Sequence, residues 1–161
     1  MSDSSLFQSN YKRNDSSVYA SGHQLADMQI VQNDIQNMVI DLDSTHSDTY
    51  GNQESADFNS HYQITGYYPL VAFDGLTGMF LGAELRPCNT YTSRNAETFL
   101  TNIVTHFSKH PCNMNVIVRV DSGFAKPVIY NFCNEKDNLF VIRLKANSRL
   151  RSEAERYIFL Q

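Results

Sequence analysis

Three aspartates sit where apolar runs end. Asp41 and Asp43 close the run from Met38 to Leu42, and Asp121 closes the run from Val116 to Val120. A carboxylate is costly to bury, so a strand that ends on one is aimed at something outside the core. In open α/β sheets, ligands gather at the carboxyl ends of the strands. If these two strands are parallel neighbours, Asp43 and Asp121 meet although they are far apart in sequence. Two carboxylates that close repel, and a cation between them keeps both ionised. Hard oxygen donors at a partly open site suit Mg2+ or Mn2+. Two such ions, roughly 3.5–4 Å apart, activate a water and stabilise the leaving oxygen of a phosphodiester. Asp41 shares a pleat face with Asp43 and reads as a supporting residue rather than a ligand. His46 and His61 read as loop hydrogen-bonders rather than site residues, and Asp48, which could assist a metal, reads as part of a solvated loop.

The elements that must position these acids follow from apolar spacing. Residues 1–36 read as a polar N-terminal segment, loose at first and then a short amphipathic helix from His23 to Gln36 carrying Leu25, Met28, Ile30, Val31 and Ile35. Met38 to Leu42 is a strand. Thr45 to Tyr62 is a long polar excursion with strand-like ends. Tyr67 to Asp74, the turn "GLTG" and Met79 to Leu85 read as an antiparallel hairpin. Ser93 or Asn95 caps a helix from Ala96 to Phe107, whose stripe of Phe99, Leu100, Ile103, Val104 and Phe107 is core. Val116 to Val120 is the next strand. A helix from Pro127 to Glu135 follows with proline in its first turn, then a strand from Leu139 to Leu144 and a last helix from about Arg149. Strands alternating with helices in the second half imply parallel neighbours with helices packed on the faces. The expected fold class is α/β, with a mixed five-stranded sheet and flanking helices.

Composition excludes several classes. The chain has 161 residues, enough for one sizeable core, and its net charge of −4 gives no global sign of a nucleic-acid binder. Contact with DNA phosphates would need local cations. Arg119 and Lys145, which flank the strands, are the candidates for DNA contact. The basic tail of Arg143, Arg149, Arg151 and Arg156 is interleaved with Glu153 and Glu155 and reads equally well as a solvated helix face. Tyr62, Tyr67 and Tyr68 could stack on bases, although hairpin packing is the simpler role. Cys88, Cys112 and Cys133 are scattered, with no zinc-ligand spacing. Reduced thiols, no membrane-length apolar run and no signal-peptide core point to the cytoplasm.

The residues also resemble a family. The stretches "VIDLDSTHSDTYGNQE", "FNSHYQITGYYPLVAFDGLTGMFLGAELRP", "NTYTS", "VRVDSGFAKPVIY" and "FVIRLKANSRL" resemble the DDE transposases of bacterial insertion sequences, in the superfamily named after insertion sequence four, closest to the group numbered thirteen-eighty. The resemblance implies a ribonuclease-H-like catalytic domain over residues 37–161, partial and incomplete at the C-terminus. It implies that Asp43 and Asp121 are catalytic acids and metal ligands, with two Mg2+ or Mn2+ ions in the complete enzyme. It also implies transposon-end and target DNA as partners, a homodimer in the complete enzyme, and strand cleavage followed by strand transfer.

This sequence departs from the family pattern. The family's third acid, a glutamate, is expected beyond Gln161, and Glu153 and Glu155 follow the fifth strand too soon to take that role. Val120 and Cys88 stand where the family has glycines. The expectation is therefore a transposase fragment with little or no strand cleavage of its own, because loss of one acid from a catalytic unit usually costs orders of magnitude. Two alternatives follow from the residues. "DLDST" also fits a haloacid-dehalogenase-like phosphatase, with Asp41 as nucleophile, Asp43 as general acid/base and one Mg2+. The chain could also be a non-catalytic truncated product.

Overall fold

A computed structural model describes residues 23–50, 53, 54, 56–60, 63–111 and 114–158. Residues 1–22, His61, Tyr62 and Cys112, for which the sequence raised expectations, lie outside the described residues.

The first helix, α1, runs through residues 23–33. Its core face is narrower than the sequence implied. Ala26 and Ile30, one helical turn apart, are buried, whereas Leu25, Met28 and Val31 are exposed. Strand β1 (Asn37–Ser44) alternates strictly: Met38, Ile40 and Leu42 are buried, and Asp41 and Asp43 point to the other face.

The described parts of the long excursion carry regular structure. Strands β2 (Ser47–Asp48), β3 (Asp57–Asn59) and β4 (Ile64–Tyr67) form a small antiparallel sheet in the order β2-β4-β3. This corrects the expected single strand from Tyr67 to Asp74. The chain breaks at Tyr68–Pro69, where the proline lacks a ladder donor, and strand β5 (Leu70–Asp74) begins after it. Strand β6 (Phe80–Glu84) completes the hairpin. Its turn is organised by Asp74, a fully buried carboxylate. Asp74 accepts from the Val39 N–H at 2.9 Å, the Thr77 N–H at 3.0 Å and the Thr77 hydroxyl at 2.5 Å. Gly78 supplies the left-handed residue of the turn, with φ of 76°.

Helix α2 (Ala96–Ser108) buries Phe99, Leu100, Ile103, Val104 and Phe107, the stripe read from the sequence. Fully burying each such side chain is worth about 1.5–3 kcal/mol. Its cap differs from expectation. Asn95 holds the N-cap position at φ 58° without a side-chain hydrogen bond. Strand β7 (Asn115–Val120), helix α3 (Pro127–Glu135, with Pro127 in its first turn) and strand β8 (Leu139–Ile142) follow. Helix α4 (Ser148–Ile158) is solvent-exposed from Ser148 to Tyr157.

The main sheet has the order β6-β5-β1-β7-β8. β1 pairs antiparallel with β5 and parallel with β7, and β7 pairs parallel with β8. A hairpin supplies the antiparallel edge, and the α2 and α3 crossovers supply the parallel one. This is the mixed five-stranded, ribonuclease-H-like arrangement expected. Among the described residues, no helix is long and apolar enough to cross a membrane.

Candidate metal centre

The parallel seam between β1 and β7 builds the site. Its register runs from Asn37 opposite Asn115 to Leu42 opposite Val120. Asp43 and Asp121 are each the next residue, so they stand side by side on strands that lie roughly 4.8 Å apart. Both line one open cavity of about 400 Å³, together with Asp41, Leu42, Arg119, Val120 and Arg143.

Both acids are braced in the same way. Asp43 Oδ1 accepts from the Ser44 N–H at 2.7 Å, and Asp121 Oδ1 accepts from the Gly123 N–H at 2.8 Å. The second bond caps a short 3-10 turn at Ser122–Phe124. Neither Oδ2 makes a hydrogen bond among the described residues. Two exposed carboxylates with one oxygen each uncommitted fit a hard divalent cation. They supply two ligands. Among the described residues, no group of three or more ligating side chains is arranged to hold a metal. Glu153 pairs with Arg156 at 3.2 Å on α4, and neither Glu153 nor Glu155 lines the cavity.

Asp41 is already engaged. The Arg119 guanidinium, directly opposite in the register, grips it with two nitrogens, Nε to Oδ1 at 2.5 Å and Nη2 to Oδ2. The hydrogen bonds and charge of Asp41 raise the Arg119 pKa above its ordinary value. Arg119 therefore lies in the cavity as a neutralised pair. Lys145 is exposed on the loop after β8 and does not line the cavity. Arg143 does line it, and its N–H donates to the Val120 carbonyl at 3.0 Å. The sequence reading left Arg143 in the tail. Its place one step past the end of β8, beside Asp121, was the available signal.

The neighbouring loop residues have structural partners. His46 lies 3.1 Å from the Cys88 thiol through Nδ1 and 2.6 Å from Asp48 through Nε2. Burial pushes the Cys88 thiol pKa up. The Tyr67 hydroxyl donates to the Glu54 carbonyl, and the Arg86 guanidinium lies over the Tyr68 ring at 5.8 Å. Both tyrosines thus have partners within the chain.

Arg86 is the second residue that sequence reasoning missed. It is only 3% exposed. Nε bonds the Tyr68 carbonyl at 3.1 Å, Nη1 bonds the carbonyls of Thr92 and Arg94 at 3.1 and 2.9 Å, and Nη2 bonds the Ser44 hydroxyl at 2.8 Å. A larger cavity, about 720 Å³, lies between α1 and the C-terminal end of α2, lined by residues that include His23, Asp27, His106 and His110. It is away from the strand ends that carry the acids.

The phosphatase alternative finds no support. Its nucleophile would be Asp41, whose two oxygens are both held by Arg119.

A family model described as Transposase DDE domain group 1 matches residues 2–159. No curated protein sequence matches the chain. Among solved structures, a piggyBac transposase synaptic complex with hairpin DNA is similar at 14% identity and a TM-score of 0.49, over 70% of this chain and 24% of that one. The catalytic domain of Mos1 mariner transposase is similar at 10% identity and a TM-score of 0.47, over 80% of this chain and 58% of that one. A simian T-cell lymphotropic virus intasome is similar at 17% identity and a TM-score of 0.46, over 71% and 37%. The chain thus spans less than two thirds of the length of each of these proteins. Because the family match runs along nearly its whole length, the chain belongs to the DDE transposases, domain group 1.

Proposed function

We propose that Asp43 and Asp121 are two acids of a transposase catalytic centre, holding Mg2+ or Mn2+ against DNA phosphodiesters. The observation that carries the reading is their convergence past the Leu42–Val120 register pair, each with one oxygen braced by a main-chain N–H and one uncommitted. Bound divalent ions would supply Lewis acidity at the scissile phosphate and a deprotonated water or 3′-hydroxyl as nucleophile. The chain's own contribution is to fix two carboxylates at one spacing before any ion binds, which removes reorganisation from the reaction. The Asp41–Arg119 pair keeps a third acid from competing with them. Arg143, which lines the same cavity, would supply the cation for a DNA phosphate, and Arg119 and Lys145 are the further candidates from the sequence.

In the whole protein the substrates are transposon ends and target DNA, two copies act on paired ends, and the reaction takes place in the cytoplasm. With two acids rather than three at the site among the described residues, the expectation for this chain is ion binding with little or no DNA cleavage.

The test offers Mn2+ to the chain and follows the free-ion signal by electron paramagnetic resonance. Terminal-repeat DNA and a small phosphate ester are assayed alongside. We expect saturable Mn2+ binding that is lost in Asp43→Asn and in Asp121→Asn, with no ester turnover. Binding that both variants leave intact would refute the reading. Ester hydrolysis that requires Asp41 would reinstate the phosphatase.

A further inference from the structure

We propose that Arg86 is a positioning residue that locks the spacing of Asp43 and Asp121 through two separate contacts, a proposal that rests on reading those acids as the metal-holding pair. Arginine stays cationic in proteins, so a buried guanidinium is costly unless its donors are satisfied. The usual partner is a carboxylate. Here all four hydrogen bonds go to neutral oxygens, those of Ser44, Tyr68, Thr92 and Arg94, while the nearby charge of Glu84 favours the cation. Such an arginine acts as a crosslink between segments, and the segments it joins are the ones that brace the acids.

The first contact is direct. Nη2 fixes the Ser44 hydroxyl, while the Ser44 main-chain N–H holds Asp43 Oδ1. The second runs through Thr92. Nη1 fixes the Thr92 carbonyl, and the Thr92 side chain packs against Gly123 so closely that a β-carbon there would lie 3.0 Å from Cγ2. The Gly123 N–H in turn holds Asp121 Oδ1. One rigid, planar group is thereby coupled to both braces, across a seam where the β1–β7 ladder has already ended at Leu42 and Val120. Lysine cannot replace it, because one ammonium cannot span acceptors on three segments. Catalytic and metal-holding groups lose function steeply when their support loosens by as little as an ångström.

The experiment measures Mn2+ affinity of the full 161-residue chain by electron paramagnetic resonance, with thermal unfolding recorded on the same samples. Arg86→Lys is expected to bind Mn2+ roughly tenfold more weakly. Ser44→Ala cuts only the Asp43 contact and leaves the buried cation in place. It strands one Arg86 donor, so it is expected to lower the unfolding temperature slightly, by less than Arg86→Lys does, while binding roughly threefold more weakly. If Arg86→Lys fails to fold, Ser44→Ala decides. A purely structural arginine would lower the unfolding temperature without moving Mn2+ affinity in any variant that folds. Wild-type affinity in Ser44→Ala, with binding lost in Asp43→Asn and Asp121→Asn, would overturn the role of Arg86 and leave the metal site standing. Wild-type affinity in the two aspartate variants would overturn both.

Discussion

Asp41 and Arg119 face each other across the parallel β1–β7 seam, and both carboxylate oxygens of Asp41 are taken by the guanidinium. The pair separates one acid from the other two on the same rim. Asp43 and Asp121 each keep one oxygen without a hydrogen bond among the described residues, and Asp41 keeps none.

That relationship predicts opposite effects from its two members. Asp41→Asn frees a cation beside Asp43 and Asp121, and should weaken Mn2+ binding roughly tenfold. Arg119→Met leaves a third uncommitted carboxylate and should tighten it. Thermal unfolding should barely change in either variant, because an exposed ion pair contributes little to stability. Titration of Mn2+ into both proteins checks the signs, and an effect in the same direction for both would rule the account out.

Asp74 should be a stability residue with no role in metal binding. It is fully buried and satisfies the N–H groups of Val39 and Thr77 as well as the Thr77 hydroxyl. Removing it strands those donors at the point where the β5–β6 turn meets β1. Asp74→Ala should lose about 2–4 kcal/mol in urea unfolding, and Asp74→Asn less, since an amide oxygen keeps part of the network. A loss no larger than that of a surface substitution would contradict the assignment.

Stability should fall with acid through His23. Burial, reinforced by the nearby charge of His106 and opposed by that of Asp27, lowers its pKa from 6.5 to about 4. Its ring stacks on His106 at 4.2 Å, and His106 pairs with Asp27 at 2.9 Å. The unfolded chain takes the proton first as pH drops. The contribution is therefore intact above pH 6.5, is lost progressively from there to about pH 4, and is constant below. The slope is shallower than a fully buried group would give, because the ring is only half-buried and solvent screens it. Unfolding temperatures across that range, compared with His23→Gln, measure the effect. Identical slopes in the two proteins would exclude His23 as its source.

The sequence by itself determined which strands end on Asp43 and Asp121 and that the two residues would be neighbours. A carboxylate ending a run such as Val116 to Val120 is visible because charge there breaks a buried strand's pattern, and the α2 stripe is visible because its spacing is helical. Local chemistry fixed the proline start of α3 and the "GLTG" turn in the same way. Tertiary structure alone decided the rest. That Asp41 rather than Asp43 meets Arg119 depends on the β1–β7 register, which brings together residues far apart in the chain. The break at Pro69 and the small β2-β4-β3 sheet depend on pairings too short to leave a periodic signal. Arg86 looked like any loop arginine, since its four acceptors come from three segments, two of them 18 and 42 residues away, and meet only once the chain has closed around it.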